Sequence, residues 1–236
     1  MTPTYSEGKK LNSTAQRVGR FGLLAALSLV LGYFDRAIPI TMILNGAVPG
    51  IKLGLANTVL LYGVYMLDWK GCVLLMLAKV FLSGFLFGSL SAILYSLSGG
   101  VLSLLVMLLV RKKPWAGALA IAALAFLSDA FLLYRNPTPG GQMLWCMLLI
   151  GLACVAAVVV FIFIRKNPAF GVMGTSLAGA VAHNVGQILA ASSVLRTPQL
   201  LYTYLPVLVG IGAAVGCLTG FVAQRVFAAM KIDATR

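Results

Sequence analysis

The chain has 236 residues, of which 61% are apolar and only 10% charged, with a net charge of +13. Soluble proteins carry about 25% charged residues, and one water-bounded domain of this length cannot bury so much apolar side chain. This balance excludes a soluble enzyme, a disordered chain and a disulfide scaffold, and it predicts an all-α integral membrane protein.

A membrane helix needs about 20 mostly apolar residues. Eight runs come near that length: 18–35, 53–67, 71–87, 89–110, 115–134, 143–164, 170–192 and 203–227. The second and third are short. The first follows Lys9, Lys10, Arg17 and Arg20 and has no small-residue cleavage site, so it is expected to be retained as an anchor.

Threading these spans in order puts Lys9, Lys10, Arg17, Arg20, Lys70, Arg111, Lys112, Lys113, Arg165, Lys166, Arg225, Lys231 and Arg236 on one side. The opposite side holds Arg36, Lys52, Arg135 and Arg196, and Lys79 lies within a span. By the positive-inside rule both termini are expected in the cytoplasm and the protein in the cell membrane. The same dispersal of positive charge between apolar runs argues against a nucleic-acid interface. Between the first two spans, residues 36–52 contain Pro39, Asn45, Gly46, Pro49 and Gly50, a long loop suited to covering a site.

Small residues recur at helical spacing. Gly212, Gly216 and Gly220 form a double G-x-x-x-G in the last span, expected to pack against another helix. Gly22 and Ala26 in the first span are candidates for docking a partner. Cys72, Cys146, Cys154 and Cys217 all lie in apolar runs without a metal-ligand spacing, and neither a metal nor another cofactor is expected.

Polar groups at membrane depth are costly and point to a site. Lys79 lies well inside the third span, with Ser83 one turn on, and reads either as half of a structural ion pair with Asp129 or as an anion contact. Ser91, Tyr95 and Ser98 form one stripe of the fourth span. His183, the only histidine, stands beside Asn184 with Gln187 one turn further. Together with Lys52 and Asn57, these groups suggest one polar pocket that takes a small anionic or amphipathic molecule; the alternative is a set of scattered inter-helix hydrogen bonds. In this reading the ligand-binding set is Lys52, Asn57, Lys79, Ser91, Tyr95, His183, Asn184 and Gln187.

The chain is not expected to be an enzyme on its own. It has no G-x-x-x-x-G-K-[ST] for ATP hydrolysis. Its five acidic residues, Glu7, Asp35, Asp68, Asp129 and Asp233, are too scattered to be grouped in sequence around Mg2+ for diphosphate chemistry.

Three ordered motifs carry a family resemblance: P-G-I-K-L-G-L-A-N from Pro49 to Asn57, F-G-S-L-S-A-I-L-Y-S-L-S-G-G from Phe87 to Gly100, and G-A-V-A-H-N-V-G-Q from Gly179 to Gln187. Together they resemble the Gx transporter family, also labelled heptaprenyl diphosphate synthase component I and similar to the substrate-binding S components of energy-coupling factor (ECF) transporters. The resemblance covers about 16–111 and 167–228 and implies a single domain with a six-helix core. Residues 112–166 then read as an inserted helical pair outside the family pattern.

The resemblance also implies a binding subunit that captures a vitamin-like or precursor molecule from outside the cell. It would dock through Gly22 and Ala26 onto a transmembrane coupling protein carrying two ATPases. The alternative implied by the family's other label is a non-catalytic accessory subunit of isoprenoid diphosphate synthesis. Two positions depart from the family: Asp35 stands where Glu is common, and Lys79 where Arg is common.

Overall fold

The structure, a computed structural model, describes residues 4–37, 55–87, 90–112, 171–197 and 199–230. These residues form helices and short turns, with no strand among them: α1 (Thr4–Ala37), α2 (Asn57–Met66), α3 (Trp69–Phe87), α4 (Leu90–Lys112), α5 (Gly171–Val194), α6 (Gln199–Thr203) and α7 (Leu205–Ala229). Among the described residues, four segments are long and apolar enough to cross a membrane: Ala15–Asp35, Trp69–Leu86, Leu90–Lys112 and Val207–Ala229. The protein is therefore an all-α membrane protein. The expected spans 115–134 and 143–164 lie outside the described residues.

The span expected at 53–67 is corrected. Its helix, α2, has ten residues, about 15 Å at 1.5 Å per residue, half the thickness of a hydrocarbon core. An apolar run reads alike whether it forms a span or a half-helix packed in protein. Here Val59, Leu60, Leu61 and Val64 are fully covered, so α2 is an internal element.

Helix α5 is the axis of the described fold. It packs along α4 on one side and α7 on the other, the two most extensive pairings. Its 24 residues would reach across a membrane, yet it is rich in Gly, Ala, Ser and amides. Protein, not lipid, lines most of its surface, so small residues serve it better than large apolar ones. Where α4 and α5 cross, a Cβ on Gly186 would lie 2.8 Å from Gly99 Cα, so the pair needs glycine there. Helix α1 is peripheral and packs only against α2 and α3 among the described helices.

Two apolar clusters bracket the middle of the bundle. One gathers Tyr95, Ile188, Leu201 and Leu208 towards the Asp35 end. The other gathers Leu60, Leu61, Met76, Met107 and Phe227 towards the opposite end. There Arg111 donates to the Val64 carbonyl at the C-terminus of α2 and lies 5.1 Å from the Tyr65 ring centroid. A cation at a helix C-terminus complements its dipole. The Tyr65 and Thr175 hydroxyls, 3.2 Å apart, add α5 to this tie.

Candidate functional site

Between the two apolar clusters lies a polar layer joining four helices. Asn57 opens α2 and is its hub. Its Nδ2 donates to Ser103 Oγ of α4 at 2.7 Å, and its Oδ1 accepts from Lys79 Nζ of α3 at 3.4 Å. Ser103 Oγ in turn donates to the Gly179 carbonyl of α5 at 2.8 Å. The bonds therefore run in one donor direction from the Lys79 ammonium to the backbone one turn before His183. Lys79 is 6% exposed and Ser103 is fully buried. A charge at one end of a buried chain polarises the bonds that follow.

The second part of the site lies on the next turn of α5. His183, Asn184 and Gln187 are all buried. His183 faces α4: a Cβ on Gly99 would come within 2.9 Å of its Nδ1. Asn184 faces α7 and donates from Nδ2 to the Leu208 carbonyl at 2.6 Å. That bond fixes the amide's orientation, because a flipped Asn184 would set oxygen against oxygen. Its Oδ1 is buried and accepts no hydrogen bond among the described residues. An acceptor left so costs about 1–3 kcal/mol until a donor reaches it.

A third contact closes the layer at the end of α1. Both oxygens of the Asp35 carboxylate accept backbone N–H groups at the start of α2, Leu55 N to Oδ1 at 3.0 Å and Ala56 N to Oδ2 at 3.1 Å. Asp35 is 3% exposed. A carboxylate at a helix N-terminus is favoured by the helix dipole and by charge-assisted bonds.

Of the residues expected to bind a ligand, the structure brings Asn57 and Lys79 into direct contact and places His183, Asn184 and Gln187 on consecutive turns beyond them. Tyr95 is buried among Ile188, Leu201 and Leu208, in the apolar cluster and not at the hub. Ser91 is partly buried near the start of α4, and its stripe partner Ser98 donates to the Gly186 carbonyl at 2.9 Å. Ser83 packs towards Gly32 of α1. Lys52 and Asp129 lie outside the described residues, so the expected Lys79–Asp129 pair does too.

Sequence reasoning missed Ser103, named Gly179 only as the start of a motif, and gave Asp35 no partner. Ser103 is one of many serines in an apolar run, and only the approach of Asn57 distinguishes it.

The two small-residue stripes face different ways. A Cβ on Gly216 would sit 2.9 Å from Leu177 Cα, and one on Gly220 2.8 Å from Met173 Cα, so these glycines seat α7 on α5. Gly212 does the same opposite Asn184. On α1, Gly22 and Ala26 are exposed, and a Cβ on Gly22 would meet nothing within 4 Å. Leu23, Leu27 and Val30 share that exposure. Among the described residues no group of three or more His, Cys, Asp or Glu forms a metal cluster.

The sequence model of the family described as heptaprenyl diphosphate synthase component I matches residues 24–132 and 136–226. The match runs through nearly all of 112–166, the stretch read from the motifs as an inserted helical pair. No curated protein and no solved structure matches the chain.

Proposed function

The chain belongs to the heptaprenyl diphosphate synthase component I family, and from that premise we propose that it is a non-catalytic membrane subunit that holds a small molecule in its buried polar layer while a separate chain supplies the chemistry. The observation that carries this reading is the hydrogen-bonded run from Lys79 through Asn57 and Ser103 to Gly179, with the fixed Asn184 oxygen one turn beyond. Ordinary helix packing does not require a buried ammonium and three buried amides in one layer. The family description supports a prenyl diphosphate synthase as the partner. The scattered acidic residues support leaving the metal-dependent step to that partner.

A second reading is a capture subunit for ATP-driven uptake, as in ECF transporters. The exposed small-residue face of α1, with Gly22 and Ala26, favours it, because such a face allows close approach of a partner's transmembrane helix. In both readings the basic ends, with Arg17, Arg20, Lys70 and Arg111, face the cytoplasm, and so do both termini.

Gentle purification followed by mass spectrometry of released small molecules and co-purifying proteins tests both. A prenyl diphosphate with a soluble synthase subunit is the expected result. A vitamin-like molecule with an ATPase module would replace it by the uptake reading. Protein that carries neither ligand nor partner contradicts both.

A further inference from the structure

Helix α2 lacks a cap of its own. Its N-cap residue is Ala56, which has no side-chain cap bond. Helices ordinarily satisfy their first N–H groups from Ser, Thr, Asp or Asn at the N-cap position. Here the Thr58 and Val59 N–H groups turn back to the Leu55 and Ala56 carbonyls, and the Asp35 carboxylate of another helix, twenty-one residues upstream of Ala56, takes the Leu55 and Ala56 N–H groups that lead into α2. The next residue after Ala56 is Asn57, the hub of the polar layer.

We propose that Asp35 is a positioning residue that couples α1 to the polar layer, so that displacement of α1 by a docked partner is felt at Asn57 and therefore at Lys79 and Ser103. The inference rests on the second reading above, in which α1 is the docking helix. Three observations support it. Helix α1 packs only on α2 and α3 among the described helices, so its position relative to α5 is relayed through them. The carboxylate grips two consecutive peptide groups, which resists rotation better than a single bond would. The Asn57–Ser103 bond is 2.7 Å long and leaves little slack, so a shift of the α2 N-terminus strains or breaks it.

Amide hydrogen exchange read by mass spectrometry on the full chain in nanodiscs tests this without ligand or partner, so its failure is distinct from failure of the proposed function. Four proteins are compared: wild type, Asp35→Asn, Asn57→Ala and the double variant. Asp35→Asn keeps the side-chain size but loses the charge and one acceptor. Asn57→Ala is expected to speed exchange at the C-terminal end of α1, residues 31–37, by about tenfold, the equivalent of one charge-assisted hydrogen bond. Asp35→Asn is expected to speed that end and residues 55–58 alike, and the double variant to match it there with no further gain. Asp35→Glu should restore most of the protection. Unchanged protection of 171–194 reports that each variant is folded. If Asp35→Asn loses that protection, the comparison of wild type, Asp35→Glu and Asn57→Ala decides. Asn57→Ala leaving the α1 end at the wild-type rate overturns the proposal, and so does an equal added effect in the Asp35→Asn background.

Discussion

Asn57 and Ser103 stand 46 residues apart in the chain and share a buried 2.7 Å hydrogen bond between amide and hydroxyl. Through it the short helix α2 is tied to α4, and through Ser103 to the Gly179 carbonyl of α5. Inter-helix bonds in membranes average about 0.6 kcal/mol and reach about 1.7. Ser103→Ala is expected to cost about 1–2 kcal/mol, because it strands both the Asn57 amide and one end of the chain of bonds. Asn57→Ala should cost somewhat more, since it breaks contacts to both Ser103 and Lys79. The two losses should be clearly less than additive. Reversible unfolding of wild type, the two single variants and the double variant in one detergent measures all three quantities.

The glycines separate packing from docking. Gly186→Ala and Gly216→Ala each drive a methyl into backbone of a neighbouring helix, which costs about 1–3 kcal/mol by overpacking. Gly22 is different, since a Cβ there meets nothing within 4 Å, and Gly22→Leu is expected to leave stability unchanged. It should instead weaken retention of whatever partner docks on α1. Thermal unfolding and quantitative co-purification on the same three variants read the two effects separately.

Arg111 combines a bond to the Val64 carbonyl with a cation–π contact on Tyr65. Arg111→Lys keeps the charge but not the planar stacking group. It is therefore expected to lose about 1 kcal/mol, most of what Arg111→Gln loses. Denaturant midpoints for the two variants against wild type check this ranking.

At Asn184 stability and binding should part company. Asn184→Ala removes one hydrogen bond to Leu208 but also removes an acceptor that has no donor among the described residues. The two terms oppose, and the net change in stability is expected to stay within about 1 kcal/mol. A ligand that donates to Oδ1 loses that bond entirely, for about a tenfold loss of affinity. Titration of the ligand identified by mass spectrometry into wild-type and variant protein, alongside unfolding midpoints, tests the split.

Much of this architecture is legible in the sequence. Apolar runs place α3, α4, α5 and α7 within a few residues of their observed bounds, because the membrane imposes length and composition together. The Gly212–Gly216–Gly220 stripe announces its packing role, and the polar turn from His183 to Gln187 announces a buried cluster. The half-helix α2 is not legible, since an apolar run such as Val59 to Val64 carries no signal for where a helix starts when its cap comes from another element. Ser103 is hidden for the same kind of reason: its importance lies in an approach across 46 residues. Arg111 reads as one more loop charge, and its contacts with Val64 and Tyr65 depend on where α4 ends relative to α2.

If the layer around Asn57, Lys79 and Asn184 holds a small molecule, the folded protein should carry it through purification. Quantitative mass spectrometry of what wild-type protein releases, against folded Asn57→Ala and Asn184→Ala purified identically, tests this. The expected result is one compound in near-stoichiometric amount from wild type, reduced about tenfold or more in both variants. Equal amounts from all three proteins, or no compound from wild type, would contradict it.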